Sequence, residues 1–226
     1  MTGVRGLFVT ATDTGVGKTE VACAIVRGHR ARGLDVAAMK PAQSGHAPGE
    51  PSDADRLRAA AGADDPAELV CPYSFGPPLA PAVAARVEGR TVSLARILDA
   101  ARALASRHAA LVVEGAGGLL TPLTDSETYA DLAVALRLPV LVVARAGLGT
   151  VNHTALTCEA LRARGLAVHG IVLNRASAGA DPSEPHNAGE IERLTGARVL
   201  AALPHEADIA ARERLFAEVL SRKVQF

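Results

Sequence analysis

The chain has no tryptophan, and aromatic residues make up only 3% of its 226 positions. Alanine, valine and leucine must therefore fill whatever core it builds. It has no net charge either: 24 basic side chains balance 24 acidic ones. That balance argues against a general electrostatic grip on nucleic acid or on an anionic membrane surface, so neither is expected as a partner. Its three cysteines, Cys23, Cys71 and Cys158, are odd in number and form no C-x-x-C pair. They read as small buried thiols of a reducing compartment. No basic-then-apolar leader is visible, and no apolar run approaches the ~18 residues a membrane helix needs. The expectation is a soluble, cytoplasmic protein. The seven histidines show no H-E-x-x-H spacing, and His153, beside Asn152 at a helix start, is accounted for by capping. There is no G-x-S-x-G elbow for a nucleophilic hydrolase. Asn174 is followed by Arg-Ala-Ser instead of the Lys-x-Asp that reads guanine, which disfavours a classical GTPase.

What the chain does have is the stretch Ala11-Thr12-Asp13-Thr14-Gly15-Val16-Gly17-Lys18-Thr19, between a short apolar run and an alanine-rich helical pattern. A glycine-rich turn from strand to helix presents backbone N–H groups and a positive helix end to phosphate. Lys18 adds a point charge for the outer phosphates, and the Thr19 hydroxyl suits a magnesium ion. The pattern G-x-x-x-x-G-K-[ST] asks for glycine where this chain has Thr12. Gly15, Gly17, Lys18 and Thr19 keep the phosphate-facing half, and the stretch reads as a P-loop.

Around it, β-rich runs at 7–10, 36–39, 110–113, 140–144, 168–173 and 199–203 alternate with helical patterns. The helices are expected near 18–32, 53–62, 93–107, 127–137, 150–164, 187–195 and 206–221. Several runs are apolar without alternation, as strands buried on both faces of a parallel sheet are. The expected fold is α/β: a P-loop NTPase-like doubly wound, mainly parallel sheet with helices on both faces, forming one domain over 1–226. Residues 46–52, the four-proline segment 71–81 and the polar stretch 177–186 are expected to be loops.

Ligands of such sheets sit beyond the carboxyl ends of the strands. The residues there are the P-loop, then Lys40, Gln43, Ser44 and Gly45, then Glu114-Gly115-Ala116-Gly117-Gly118. Arg145 to Gly149 with Asn152, Asn174 and Pro204 follow the later strands. A carboxylate at the position of Glu114 commonly serves magnesium, although a solvated loop carboxylate would look the same. Lys40 lies at a strand end where it could orient an anionic intermediate, or could snorkel to the surface. Thr14 and Ser44 could supply hydroxyl donors nearby. Asp53 and Asp55 open a helix, and capping accounts for them equally well.

Together these residues resemble the dethiobiotin synthetase family. The resemblance is carried by 12–19, Lys40-Pro41 with Ser44-Gly45, Ser52-Asp53-Ala54 and Pro72-Tyr73-Ser74-Phe75. Val113-Glu114-Gly115-Ala116-Gly117-Gly118 and Leu148-Gly149-Thr150-Val151-Asn152-His153 extend it over almost the whole chain. It implies ATP-dependent carboxylation of 7,8-diaminopelargonic acid by CO2 (or bicarbonate as its source), through a carbamate and a carbamic-phosphoric anhydride, to the cyclic urea. It implies Mg2+ held at Thr19, Asp53 and Glu114, and ATP bound along Asp13, Thr14, Gly15, Val16, Gly17, Lys18 and Thr19, with its base near Asn174 and Pro204. Lys18 and Lys40 would act on the carbamate and the moving phosphate, beside Thr14 and Ser44. The diamine would meet Lys40, Ser44 and Gly117 of one subunit, with Gly149 and Asn152 coming from the other subunit of a homodimer.

Two departures stand out: Ala11 replaces a usual glycine, and the short segment before Asp53 leaves the choice between Asp53 and Asp55 open. The main alternative is a partition- or septum-type switch ATPase of the same fold. Those proteins carry an early lysine in the loop, whereas this chain has Asp13, and its C-terminal stretch is mixed in charge, unlike a membrane-seeking helix. A non-catalytic nucleotide-binding regulator is a second alternative, but Lys40, Glu114 and Asn152 are all present.

Overall fold

The structure is a computed structural model that describes residues 5–45, 49–62, 65–179 and 181–226. In chain order the elements are β1 Gly6–Ala11, α1 Lys18–Ala31, β2 Val36–Met39, β3 Ala42–Ser44, α2 Asp53–Ala61, α3 Ala67–Val70, β4 Tyr73–Phe75, α4 Pro81–Val87 and α5 Leu94–Arg107. They continue with β5 Ala110–Glu114, α6 Tyr129–Leu136, β6 Val140–Arg145, α7 Thr150–Arg162, β7 Val168–Asn174, α8 Glu184–Thr195, β8 Val199–Leu203 and α9 Ile209–Lys223.

Six strands form one parallel sheet in the order β2-β5-β1-β6-β7-β8. They are the six runs expected from the sequence. Successive residues of a strand point to opposite faces, so each apolar run feeds two cores. Leu7, Val9, Val112, Leu141 and Val143 pack with Ile25, Leu57, Phe216 and Leu220 of α1, α2 and α9. Phe8, Leu111, Val113, Val140 and Val142 pack with Ile97, Leu104, Tyr129, Leu136 and Leu161 of α5, α6 and α7. The sheet is doubly wound, as the unbroken apolar runs require. Ala11 is fully buried at the end of β1 in the first of these cores. Its methyl group therefore packs into that core, between the sheet and the helices that cover this face.

The order reverses beside β1, and the P-loop leaves the sheet there. The proline-rich segment departs from its expected loop. Residues 73–75 form β4, paired parallel with β3 in a separate two-stranded sheet, and Pro81 opens α4 at a position where its missing N–H costs nothing. Helix α8 begins at Glu184, inside the stretch expected to be a loop. Residues 46–48 of the expected loop before Asp53, and residue 180, lie outside the described residues.

Candidate active site

Gly17 caps α1 in the left-handed region, with φ 89°. A Cβ there would also sit 2.1 Å from Asn174 Nδ2, so glycine is required for two reasons. Asn174, the last residue of β7, donates through Nδ2 to the Val16 carbonyl at 3.0 Å. A carbonyl only accepts, so the amide nitrogen faces Val16 and the oxygen is turned away. That Oδ1 is buried and has no partner among the described residues. On the outer side of the loop, Asp13 receives the Thr14 N–H on Oδ1 and Arg145 on Oδ2, each at 2.7 Å.

Beneath the loop lies a buried charge cluster. Glu114 ends β5 with no solvent exposure, and its Oε1 receives the Thr19 hydroxyl at 2.8 Å and Lys40 Nζ at 2.6 Å. Lys40 follows β2 and is itself buried. Its ammonium also donates to Asp53 Oδ2 at 2.9 Å and to the Gly115 carbonyl at 3.2 Å, which uses all three of its protons. Glu114 Oε2 is buried without a partner.

The two acidic residues at the start of α2 divide the work. Ser52 caps the helix, accepting the Asp55 N–H, while the Asp55 carboxylate returns to the Ser52 N–H at 3.0 Å in a capping box. Asp53 instead turns inward to Lys40. The capping explanation therefore holds for Asp55, and the cluster contains Asp53.

The two buried lysines are pushed in opposite directions. Burial lowers the pKa of Lys18, against the pull of Glu114. Burial alone would lower that of Lys40 as well, but the charges of Glu114 and Asp53 outweigh it and raise the value. Asp53 is held below the usual carboxylate range, since the charge and hydrogen bond of Lys40 overcome the cost of burial.

Above the cluster opens a cavity of about 840 Å³ that brings together Thr14, Gly15, Gly17, Lys18, Thr19, Lys40, Ser44, Asp53 and Gly117. Its far wall is Pro78, Leu79, Ala80 and Pro81, with Thr121 and Pro122. The proline-rich segment expected to be a loop thus supplies a wall of the cavity. Gly45, with φ 71°, marks where that wall closes in: a Cβ there would lie 2.6 Å from Pro78. Ser44 lines the cavity, but its hydroxyl donates to the Leu79 carbonyl at 2.7 Å.

Other expected residues lie elsewhere. Val16 and Asn174 line a recess of about 670 Å³ on the opposite side of the P-loop. Pro204 lines an adjoining, more apolar recess of about 600 Å³ with Leu173, Pro182 and Pro185. Asp13 is half exposed in its pair with Arg145. Gly149 caps α7 in the left-handed region, and Asn152 is exposed in the first turn. Neither lines the cavities described above. His153 also lies within that turn, its N–H bonded to the Gly149 carbonyl, so the cap is Gly149 and not His153.

The fold and site can be set beside known proteins. The family described as an AAA domain matches residues 5–213. A protein of Anaeromyxobacter dehalogenans (strain 2CP-1 / ATCC BAA-258) named ATP-dependent dethiobiotin synthetase BioD is 70% identical over 99% of this chain and 100% of its own length. One of the same name from Bacillus cereus (strain B4264) is 43% identical over 94% of this chain and 88% of its own. Among solved structures, a ParA family ATPase from Chlorobium tepidum TLS superposes with a TM-score of 0.58 at 15% identity, covering 97% of this chain and 96% of that one. The MinC:MinD cell division complex of Aquifex aeolicus gives 0.61 at 13% identity over 97% and 92%. At such low identity, these structural likenesses speak for the P-loop fold alone. The near full-length identity with the two BioD proteins goes further: the chain belongs to the dethiobiotin synthetase family.

Proposed function

We infer that this chain is an ATP-dependent cyclo-ligase that turns 7,8-diaminopelargonic acid, CO2 and ATP into dethiobiotin, ADP and phosphate. The observation that carries the reading is the buried set Thr19, Lys40 and Glu114 under a P-loop, joined at its open side by the half-buried Asp53, in a chain 70% identical to a protein of that name. One amine of the substrate takes up CO2 as a carbamate and releases a proton. A carbamate oxygen attacks the γ-phosphorus and ADP leaves. The second amine attacks the carbonyl carbon of the anhydride, phosphate departs, and the urea ring closes with loss of a proton.

This sequence asks the protein for placement and charge more than for covalent chemistry. Lys18, buried at the first turn of α1, is placed for the phosphate in flight. Lys40 serves the carbamate once it releases one of its three present acceptors. Thr14 and Ser44 flank them in the same cavity. The donor set fits Mg2+, which prefers hard oxygen ligands. Glu114 Oε2 is a buried carboxylate oxygen without a partner, and Asp53 and the Thr19 hydroxyl adjoin it. These three would hold the ion, which supplies charge neutralisation on the triphosphate.

The nucleotide lies along Asp13, Thr14, Gly15, Val16, Gly17, Lys18 and Thr19. Its base is directed to the side of Asn174 and Pro204, where the free Oδ1 of Asn174 suits an amino donor. Gly117 faces the diamine. The exposure of Asn152 at the start of α7 supports a homodimer in which Gly149 and Asn152 complete the partner's site. The whole chain acts as one domain, and the enzyme is assigned to the cytoplasm. Among the described residues no helix is long and apolar enough to cross a membrane.

Product analysis by mass spectrometry tests the reading. Protein mixed with Mg2+-ATP, bicarbonate and 7,8-diaminopelargonic acid should form dethiobiotin with matching ADP, and lose both when bicarbonate is withheld. ATP hydrolysis indifferent to the diamine would contradict it and favour a switch ATPase. Nucleotide binding without any turnover would favour a regulator.

A further inference from the structure

Gln43 has no part in the roles assigned above, yet it ties the start of α2, beside the metal-side carboxylate, to the strand that follows Lys40. It lies in β3, buried, three residues beyond Lys40. Its Oε1 accepts the N–H of Ala54 at 3.1 Å, and its Nε2 donates to Ser74 Oγ at 3.2 Å. The orientation of the amide is determined by chemistry, because a backbone N–H can only donate and must face the oxygen. Ala54 is the second residue of α2, immediately after Asp53. Its N–H is one of the orphan donors of a helix start, here met by a side chain 11 residues away. Ser52 meets the next one.

The consequence is geometric. A hydrogen bond on the Ala54 nitrogen holds the peptide plane between Asp53 and Ala54. That plane sets where the Cα–Cβ bond of Asp53 points. β3 is a firm base for this: Gly45 N–H bonds to the Phe75 carbonyl at 3.2 Å, and the buried Tyr129 hydroxyl donates to the Ala42 carbonyl at 3.2 Å. Gln43 thus ties α2 to the strand that follows Lys40, and both partners of the Lys40–Asp53 pair take their positions from one short segment. Such outer partners commonly decide how well a carboxylate presents itself to a metal.

We propose that Gln43 is a positioning residue for the reaction, holding Asp53 in its inward, magnesium-binding orientation through the Ala54 N–H. The proposal rests on the magnesium reading given under the proposed function. Its test uses ADP binding by the full-length protein, measured calorimetrically with and without Mg2+. The unaltered protein should bind ADP more tightly with Mg2+; if it does not, the magnesium reading itself fails. Given that dependence, Gln43→Met keeps the bulk and loses both hydrogen bonds. It should raise the half-saturating Mg2+ concentration about tenfold, while ADP affinity without metal changes less than about twofold. Gln43→Glu keeps the acceptor toward Ala54 and should stay within about threefold of the parent. Ser74→Ala, which removes only the far bond, covers the case in which Gln43→Met does not fold, and should shift the Mg2+ requirement in the same direction. Three results would overturn the proposal: an unchanged Mg2+ requirement in Gln43→Met, equal losses of metal-free and metal-bound affinity, or equal behaviour of the Met and Glu variants. If Gln43→Met does not fold, an unmoved Ser74→Ala would do so.

Discussion

Lys40 Nζ lies 2.6 Å from Glu114 Oε1, and neither side chain has appreciable contact with solvent. The pair joins the end of β2 to the end of β5, two strands neighbouring in the sheet but 74 residues apart in the chain. Removing one partner of a buried pair strands the other charge. Lys40→Met should therefore lower stability by about 3–5 kcal/mol in urea titrations without Mg2+. Added Mg2+ should recover part of that loss, since the cation would replace the missing ammonium. Lys40→Met should also abolish dethiobiotin formation. Full activity in this variant would remove Lys40 from the reaction.

Glu114→Gln separates charge from shape. The amide oxygen can still accept from Thr19 and Lys40, so the fold should persist, but the buried Lys40 ammonium keeps only the charge of Asp53 and Tm should fall. Half-saturating Mg2+ should rise by about tenfold or more in a turnover titration, because a ligand charge has gone. An unchanged titration would exclude Glu114 from the metal site.

Asn152 makes a prediction about assembly. Asn152→Ala should raise the KM for the diamine far more than that for ATP. Lys18→Gln should be inactive. Mixing the two variants under conditions that exchange subunits should restore up to about a quarter of the parent's activity, because half the dimers are mixed and each has one intact site. No recovery, with exchange verified by mass spectrometry, would place Asn152 in its own subunit's site.

A pH effect is expected away from the cleft. His108 Nδ1 lies 2.9 Å from Asp35 Oδ1 and its Nε2 lies 2.9 Å from Asp65 Oδ2, with Arg30 against Asp35 and Arg107 against Asp65. Burial pulls the His108 pKa down, but the two carboxylates overcome it and raise the value above its ordinary level near 6.5. A group raised on folding stabilises the protonated native state. Its contribution is complete below about pH 6.5 and is lost as pH climbs through the raised native value. Urea unfolding at a series of pH values should show this fall, and His108→Gln should flatten it. A parent and variant with parallel profiles would contradict the assignment.

Much of this was legible in the residue order, for identifiable reasons. The main sheet could be read because parallel strands are buried on both faces and appear as unbroken apolar runs, as in 140–144. The P-loop could be read because its chemistry is local: turn, helix end and charge occur within nine residues. Residues 73–75 could not. A three-residue strand amid prolines has no periodicity to detect, and it exists only because β3 offers it a partner.

The sequence by itself determined the doubly wound class and the list of polar residues at the strand ends, since periodicity and position after a strand are properties of the chain order. Only the tertiary structure decided which of those residues meet. It sent Asp53 inward and Asp55 to the cap, although they are two residues apart on one helix. It spent all three protons of Lys40 on acceptors from separate elements. It also drew the wall of the cavity from a segment that read as a connection. The physical reason is the same in each case. A hydrogen bond between residues 74 positions apart depends on strand order and register, which no local pattern encodes.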